Sequence, residues 1–171
     1  MNVFSAIQNR RSIRLYSDRT VEEEKLSRVL EAARLAPSAS NMQNWKFIVV
    51  RDAEKREMLT EAAYSQTFVG QAPIILVACG TDPDGVMKCG QHRYTIDLSI
   101  ATAFMVLAAT EQGLGTCWLG SFNEKMVKEI LNIPDRVRVV AMTPLGYPGE
   151  APASRPRRKL DEIVCLDGYE D

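Results

Sequence analysis

The stretch "QHRYTIDLSIATAFMVLAATEQG", residues 91–113, is long and apolar on nearly every side in its middle. The glycine at its end suits a helix C-terminus. A helix that is apolar all round must be covered all round, so it lies either at the centre of the domain or against a second subunit. We favour the second arrangement and expect this helix at a subunit interface.

Shorter elements surround this helix. We expect Asn2 to cap a helix that reaches about Gln8, and Thr20 with Glu23 to form the capping box of a second helix that ends before Pro37. Two further helices are predicted within residues 53–63 and 123–131, and strands within residues 45–50, 72–80, 116–120 and 137–146, with a further strand open at "LDEIV", residues 160–164. Together these elements predict an α+β or three-layer domain with four or five strands.

The bulk properties exclude several classes of protein. The 171 residues are 46% hydrophobic and 25% charged, with a formal net charge of -1. This size suits one domain, residues 1–171, and the absence of excess positive charge argues against a nucleic-acid partner. The amino-terminal "MNVFSAIQNRR" lacks the apolar core of a secretory signal, and no apolar run reaches membrane-spanning length. We therefore expect a cytoplasmic protein without a membrane partner.

The nucleophiles and metal ligands are few. The four cysteines form no C-x-x-C pair, so buried free thiols are expected instead of a redox dithiol or a zinc knuckle. "CGQH", residues 89–92, resembles a metal pair, but a second pair is missing, and we expect no metal site. The single histidine, His92, has no G-x-S-x-G partner, which argues against a serine or cysteine hydrolase.

Two basic clusters are candidate anion sites. "NRRSIR", residues 9–14, is either a solvated patch at a helix end or an anion clamp, in which arginine forks bind phosphate bidentately and Ser12 adds a hydroxyl donor. "SRPRRKLDEI", residues 154–163, is either a solvated basic tail or a second half of that clamp. If the two clusters meet, they carry more charge than one phosphate monoester needs.

Two other stretches could contact a flat polar ligand. "APSASNMQNW", residues 36–45, is either a capping turn or a binding loop, in which Asn41 and Gln43 offer donors and acceptors for an imide-like edge. "GLGTCWLGSF", residues 113–122, has neither the Rossmann glycine spacing nor the lysine of a P-loop. It predicts a strand at whose end Gly120 either packs against a helix or lets the backbone approach a flat ligand.

In this order and at these separations, the four stretches resemble the FMN-dependent nitroreductase family over essentially the whole chain. The matching motifs are R-R-S-x-R at residues 10–14, P-S-x-x-N-x-Q at residues 37–43, G-L-G-x-x-W-x-G at residues 113–120, L-G-Y-P at residues 145–148 and P-R-R at residues 156–158. The resemblance implies a three-layer α/β/α fold with a mixed four- or five-stranded sheet. It also implies a homodimer with an exchanged C-terminal segment.

The resemblance also implies roles for individual residues. The FMN phosphate would be held by Arg10, Arg11, Ser12 and Arg14, with Arg157 or Arg158 closing the clamp. The P-S-x-x-N-x-Q loop of the partner subunit would contribute Pro37, Ser38, Ala39, Asn41 and Gln43 to the cofactor site, with Asn41 and Gln43 at the pyrimidine edge and ribityl chain. Leu119, Gly120 and Ser121 would lie along the flavin face with a backbone N–H near N5. No catalytic side chain is implied, because the flavin performs the chemistry.

The implied activity is ping-pong electron transfer from NADH or NADPH through FMN to a small acceptor such as a nitroaromatic compound or a quinone. A flavin-storage protein and a reductive dehalogenase on the same scaffold remain alternatives. Asn44 stands where the family often has proline, so this loop is expected to be looser. The chain is near the short end of the family, and we expect an open site bordered by residues 64–71 and 82–93.

Overall fold

A four-stranded sheet separates two layers of helices in the computed structural model, which describes residues 2–170. The helices are α1 (Val3–Asn9), α2 (Glu23–Arg34), α3 (Ala53–Ala62), α4 (Phe68–Gln71), α5 (Arg93–Glu111) and α6 (Glu124–Leu131). The strands are β1 (Trp45–Val50), β2 (Ile74–Gly80), β3 (Gly115–Thr116) and β4 (Arg138–Gly146), and the order across the sheet is β1-β2-β4-β3. The expected α+β class and three-layer arrangement are confirmed.

The strand pairs are antiparallel throughout the sheet of residues 2–170. We predicted a mixed sheet, and the parallel component is confined to an isolated bridge between Ser12 and Thr116. The segment that contains Ser12 contacts the sheet edge through this single bridge and forms no ladder. The sheet is therefore four-stranded and antiparallel, with a short parallel contact at the β3 edge.

The two faces of β2 show why helices cover both sides of the sheet. Ile74 and Leu76 pack with apolar residues of α2 and α5. Ile75 and Val77 point the other way and pack with residues of α3, α4 and α6. Alternate residues of a strand face opposite sides of the sheet, so a strand that is apolar at every position needs cover on both.

The helix α5 lies against the sheet and α2, so one chain covers much of its apolar surface. Leu98, Ala101 and Met105 are fully buried, whereas Phe104 is 41% exposed. The subunit interface that we favour for this helix stays a prediction. The helix ends before Gly113, which has a φ of +74° and so occupies the left-handed region that favours glycine. Both predicted properties of this glycine, its place and its role in ending the helix, are confirmed.

Asn2 caps α1 as expected, because its side chain accepts a hydrogen bond from the N–H of Ser5. The capping box at Thr20 is wrong. The helix α2 begins at Glu23, and Val21 before it is buried in the core. Glu22, in extended conformation, occupies the N-cap position, so Thr20 is too far upstream to cap the helix.

Three other expectations differ from the structure. "LDEIV" forms a single 3₁₀ turn, Leu160–Glu162, instead of a strand. The strand predicted at residues 116–120 is reduced to β3 and one bridge between Leu119 and Met142. The short helix α4 was not predicted, because its four residues are too few to show a helical period.

Candidate functional site

An extended segment, residues 10–17, carries the first arginine cluster along the β3 edge of the sheet. It leaves α1 at Arg10, and the N–H of Ile13 donates to the carbonyl of Thr116 at 2.9 Å. Its other side meets the chain after β4, where Gly149 N–H donates to the carbonyl of Leu15 at 2.8 Å. The segment is therefore held between the sheet edge and the start of the C-terminal segment.

Tyr16 anchors this segment to the sheet. Its buried hydroxyl donates to the carbonyl of Ile13 at 2.9 Å and lies 3.3 Å from that of Pro144 in β4. Burial raises the pKa of the Tyr16 phenol far above its ordinary value, so the group remains a neutral hydrogen-bond donor. It acts as a structural anchor of the arginine segment.

The two basic clusters meet around one cavity of about 320 Å³, which we call the arginine cavity. Both sides of the cavity are irregular backbone, one following α1 and the other following β4. The cavity is lined by Arg10, Arg11, Ser12, Arg14, Glu150, Pro152, Ala153, Ser154, Arg155 and Arg157. The two clusters are therefore not separate in the fold.

The cavity is strongly positive, because five guanidinium groups face one carboxylate. Within residues 2–170, none of these five arginines forms a salt bridge. Glu150 accepts a hydrogen bond from the backbone N–H of Arg14, which fixes the carboxylate by main chain and not by a guanidinium. The site therefore has donors and charge available for an anion.

Cys117 lies behind this cavity and is buried. Burial raises the pKa of its thiol, although Arg14, the hydroxyl of Ser12 and Arg10 oppose the shift. Cys79 is buried too, and burial raises the pKa of its thiol to about 11. Both thiols are therefore protonated near neutral pH and are poor nucleophiles.

Residues 37–43, which we call the amide loop, form a tight turn between α2 and β1. Asn41 and Gln43 are exposed, and the Nε2 of Gln43 donates to the backbone carbonyl of Asn41 at 3.1 Å. Ser38 accepts a hydrogen bond from Gln43 N–H at its hydroxyl, also at 3.1 Å. Pro37 is exposed and Ala39 half-buried. The loop thus presents two side-chain amides to solvent on a backbone that is closed on itself.

The segment after β3 offers an open piece of backbone. Leu119 is buried and exchanges two hydrogen bonds with Met142 of β4, at 2.9 and 3.1 Å. Gly120 follows it at the surface, and a Cβ placed there would meet no atom within 4 Å. Ser121 is exposed, and its carbonyl accepts a hydrogen bond from Gln66 at 3.2 Å. Of the two alternatives for Gly120, close packing against a helix is wrong within this chain.

The structure brings some of the predicted residues together and leaves others apart. The arginine cavity contains Arg10, Arg11, Ser12, Arg14 and Arg157. Arg158 lies outside it and donates to Glu162, with 3.3 Å from Nε to the carboxylate. The amide loop and residues 119–121 do not line the cavity within one chain.

Sequence reasoning missed two residues at the cavity. Glu150 was not singled out, and its position in the proline- and glycine-rich segment gave no spacing signal. Arg155 belongs to the second basic cluster but was not selected as a ligand. A basic cluster shows that charge is present, whereas the choice of side chains that line the cavity depends on how the chain folds after β4.

Two kinds of site find no support in the part of the chain that the structure describes. Across residues 2–170, no group of three or more His, Cys, Asp or Glu side chains is placed to hold a metal ion. Helices long and apolar enough to cross a membrane are also missing from this range.

Known proteins are similar to this chain in sequence and fold. The nitroreductase family model matches residues 7–81 and 60–147. A relative from Archaeoglobus fulgidus, named as a candidate NADH dehydrogenase/NAD(P)H nitroreductase, is 40% identical over 146 residues, which are 83% of each chain. The structure of an FMN-dependent nitroreductase from Clostridium difficile is 30% identical, with a TM-score of 0.83 over 97% of this chain and 99% of the other.

A third comparison extends the similarity to a protein with a bound nicotinamide cofactor. The NADPH:FMN oxidoreductase of Vibrio harveyi, solved in complex with NAD⁺, superposes with a TM-score of 0.91 at 27% identity, covering 100% of this chain and 79% of the other. The family match spans most of the chain and includes α5, both central strands and the arginine segment. On the strength of this match, the chain belongs to the nitroreductase family.

Proposed function

We propose that the chain is an FMN-dependent NAD(P)H oxidoreductase that reduces nitroaromatic compounds, quinones or related small acceptors in the cytoplasm. The observation that carries the proposal is the arginine cavity, in which two distant basic clusters converge on one space. The names of the two solved relatives, an FMN-dependent nitroreductase and an NADPH:FMN oxidoreductase, support the same choice.

The donor set of the cavity fits the phosphate of FMN. A phosphate monoester offers three terminal oxygens with close to two negative charges, and arginine forks bind such oxygens in pairs. Arg10, Arg11 and Arg14 come from the segment after α1 and Arg157 from the segment after β4, and Ser12 lines the same cavity. Glu150 lowers the excess positive charge and restricts where a dianion can sit.

The open backbone at Gly120 fits the flat ring system of a flavin. A side chain at this position would occupy space that is empty in the chain, and glycine leaves it for a ligand. Leu119 is buried and paired to β4, so the backbone that precedes Gly120 is rigid. We assign Leu119, Gly120 and Ser121 to the flavin face.

The amide loop completes the site from a second copy of the chain. Within one chain the amide loop does not line the arginine cavity. The second copy in a homodimer would supply this loop, including Pro37, Ser38 and Ala39. The exposed apolar side chains support this assembly. Val3 and Phe4 of α1 are 70% and 68% exposed beside Phe104 of α5, and a cavity of about 220 Å³ lies between the two helices.

The C-terminal segment also requires a partner. From residue 153 onward every described residue is exposed, and Leu160, Leu166 and Tyr169 are 74%, 80% and 88% exposed. A single chain that leaves this much apolar surface in water pays a free-energy cost of about 25 cal/mol for each Å². We assign this segment to exchange between the two subunits.

When bound, FMN supplies the redox chemistry, taking a hydride from NADH or NADPH and passing electrons to the acceptor in a ping-pong sequence. The chain's own residues bind and orient. The arginines would hold the phosphate, Asn41 and Gln43 would meet the polar edge of the ring, and the backbone at residues 120 and 121 would offer an N–H to its face. The thiols of Cys117 and Cys79 are buried and protonated and are poor bases. We assign the acceptor's proton to water.

Steady-state turnover tests this proposal. FMN-loaded protein is assayed with NADH and with NADPH against a naphthoquinone and a nitrobenzoate. We expect turnover of about 1 s⁻¹ or faster with at least one pair, and parallel double-reciprocal plots. Reduction of the bound FMN by NADH or NADPH without turnover of either acceptor would favour the flavin-storage alternative. Turnover of a halogenated phenol alone would favour the reductive dehalogenase.

A further inference from the structure

Asp97 is a buried carboxylate for which the proposed chemistry has no use. It lies on α5, is 6% exposed, and its Oδ1 accepts a hydrogen bond from the backbone N–H of Ala39 at 3.0 Å. Among residues 2–170 this is the single hydrogen bond found for its side chain. Burying a carboxyl group is costly unless it is hydrogen-bonded, so the bond to Ala39 determines how well this side chain is accommodated.

Ala39 belongs to the amide loop, whose backbone is held in an unusual conformation. Ser40, Asn41 and Gln43 have φ values of 52°, 53° and 53°, in the left-handed region that residues with a Cβ disfavour. The hydrogen bonds from Gln43 to Ser38 and Asn41 close the loop on itself but do not fix it to the core. A strained loop keeps one conformation only where surrounding contacts determine it.

Within residues 2–170, two hydrogen bonds connect the amide loop to α5. One is the bond from Ala39 N–H to Asp97, and the other runs from the Nη1 of Arg93 to the sulfur of Met42 at 3.1 Å. A sulfur is a weak acceptor on a flexible side chain, whereas a carboxyl oxygen makes a stronger bond to a backbone N–H. Asp97 is therefore the stronger of the two connections between the loop and the core helix.

We propose that Asp97 is a positioning residue, which fixes the amide loop through Ala39 N–H and thereby sets the direction of the Asn41 and Gln43 amides. The proposal rests on the proposed function, because the polar edge of the flavin is the ligand that these amides would meet. It adds a residue that touches no cofactor and acts through the loop backbone.

Hydrogen exchange tests the anchoring step without flavin. In the full-length wild-type protein, the Ala39 amide should exchange at least about tenfold more slowly than an unstructured alanine amide, although its loop is at the surface. In Asp97→Ala it should exchange about tenfold to a hundredfold faster than in the wild type. An unprotected Ala39 amide in the wild type would overturn the proposal, whatever the folding of the variants.

Flavin affinity tests the consequence. Asp97→Ala should raise the Kd for FMN by about tenfold or more, as measured by quenching of flavin fluorescence. Asp97→Asn keeps an acceptor oxygen at the same place, so both its FMN affinity and its Ala39 exchange rate should stay within about threefold of wild type. Faster exchange in Asp97→Ala with an unchanged Kd would contradict a positioning role.

Thr102 offers a matched control on the same helix. It is fully buried, and its hydroxyl has no hydrogen-bond partner within the described range. Thr102→Val should leave both the Ala39 exchange rate and the FMN affinity unchanged, and an effect as large as that of Asp97→Ala would mean that any change in α5 disturbs the site. If the wild type binds no FMN while Ala39 remains protected, the proposed function fails and the anchor stands.

Discussion

Arg157 and Arg158 are adjacent in the sequence but have different surroundings. Arg157 lines the arginine cavity, and its Nη1 donates to nearby backbone carbonyls. The guanidinium of Arg158 donates to Glu162 instead. The family pattern could not choose between the two. The structure separates them, because Arg157 lines the cavity and Arg158 donates to Glu162.

Arg157→Ala should weaken FMN binding and Arg158→Ala should not. Loss of one guanidinium that faces a phosphate dianion removes charge-assisted hydrogen bonds, so the Kd for FMN should rise about tenfold to a hundredfold. The matched Arg158→Ala variant should stay within about twofold. Fluorescence titration of both variants measures this difference, and a larger loss in Arg158→Ala would reverse the assignment.

At the residue scale, the sequence predicts side-chain chemistry better than it predicts contacts. The arginines, Ser12 and the two amides could be selected because their types suit phosphate and an imide edge. Glu150 and Asp97 could not, since each acts through a backbone N–H more than 50 positions away, Arg14 and Ala39 respectively. Such pairings depend on the fold and leave no spacing signal.

At the scale of elements, α2 begins where a polar cluster fixes the chain. Glu22 precedes the helix and accepts a hydrogen bond from the hydroxyl of Tyr147 at 2.7 Å. Lys25 donates to the same hydroxyl at 2.8 Å, and the guanidinium of Arg19 stacks 3.8 Å from the centre of the Tyr147 ring. The cluster joins the start of α2 to the chain after β4, although no side chain of it caps the helix.

This cluster predicts a pH dependence of stability. The hydrogen bond from Tyr147, together with a backbone N–H and Arg19, lowers the pKa of Glu22 from 4.5 to about 2. A carboxyl whose pKa is lower in the folded state stabilises the fold above its unfolded pKa and loses that contribution as the pH falls toward its folded pKa. The stabilisation from Glu22 should therefore decline between pH 4.5 and about pH 2.

Tyr147→Phe tests the cause of this shift. Removing the hydroxyl should move the pKa of Glu22 upward, toward its ordinary value, as followed by NMR titration of its side-chain carboxyl. Glu24→Gln is a control, since Glu24 is exposed and pairs only with Arg28 among the described residues. An unchanged Glu22 pKa in Tyr147→Phe would show that Arg19 and the backbone suffice.

The elements that the sequence predicted well have a strong local cause. Gly113 ends α5 because the left-handed turn there favours glycine, and β2 is apolar at every position because helices cover both of its faces. The failures lie where tertiary contacts decide. Val21 is held by the core, and "LDEIV" has no neighbouring strand to pair with among residues 2–170.

At the scale of the whole molecule, the site is divided between parts that one chain does not bring together. The arginine cavity lies at the β3 edge of the sheet. The amide loop lies between α2 and β1 and does not line this cavity. Apolar side chains of α1 and α5 remain exposed in one chain, among them Ile7 at 51% and Phe104 at 41%. A homodimer would both cover this apolar surface and complete the cofactor site.

Phe104→Glu should break this dimer. A carboxylate in an apolar interface loses its hydration without gaining a partner, so the variant should elute as a monomer in light-scattering chromatography. It should lose FMN affinity as well, because the proposed site takes the amide loop from the other subunit. Met126→Glu on α6 changes a residue of similar exposure, 37%, on the other helical layer and should remain a dimer that binds FMN. A dimeric Phe104→Glu variant would place the interface elsewhere.

The most direct measurement is the absorption spectrum of the purified protein with FMN, recorded anaerobically before and after addition of NADH or NADPH. We predict that FMN stays with the protein through gel filtration and that its oxidised bands bleach with at least one of the two nicotinamides. A protein that retains no FMN, or whose bound FMN neither nicotinamide bleaches, would contradict the proposed oxidoreductase.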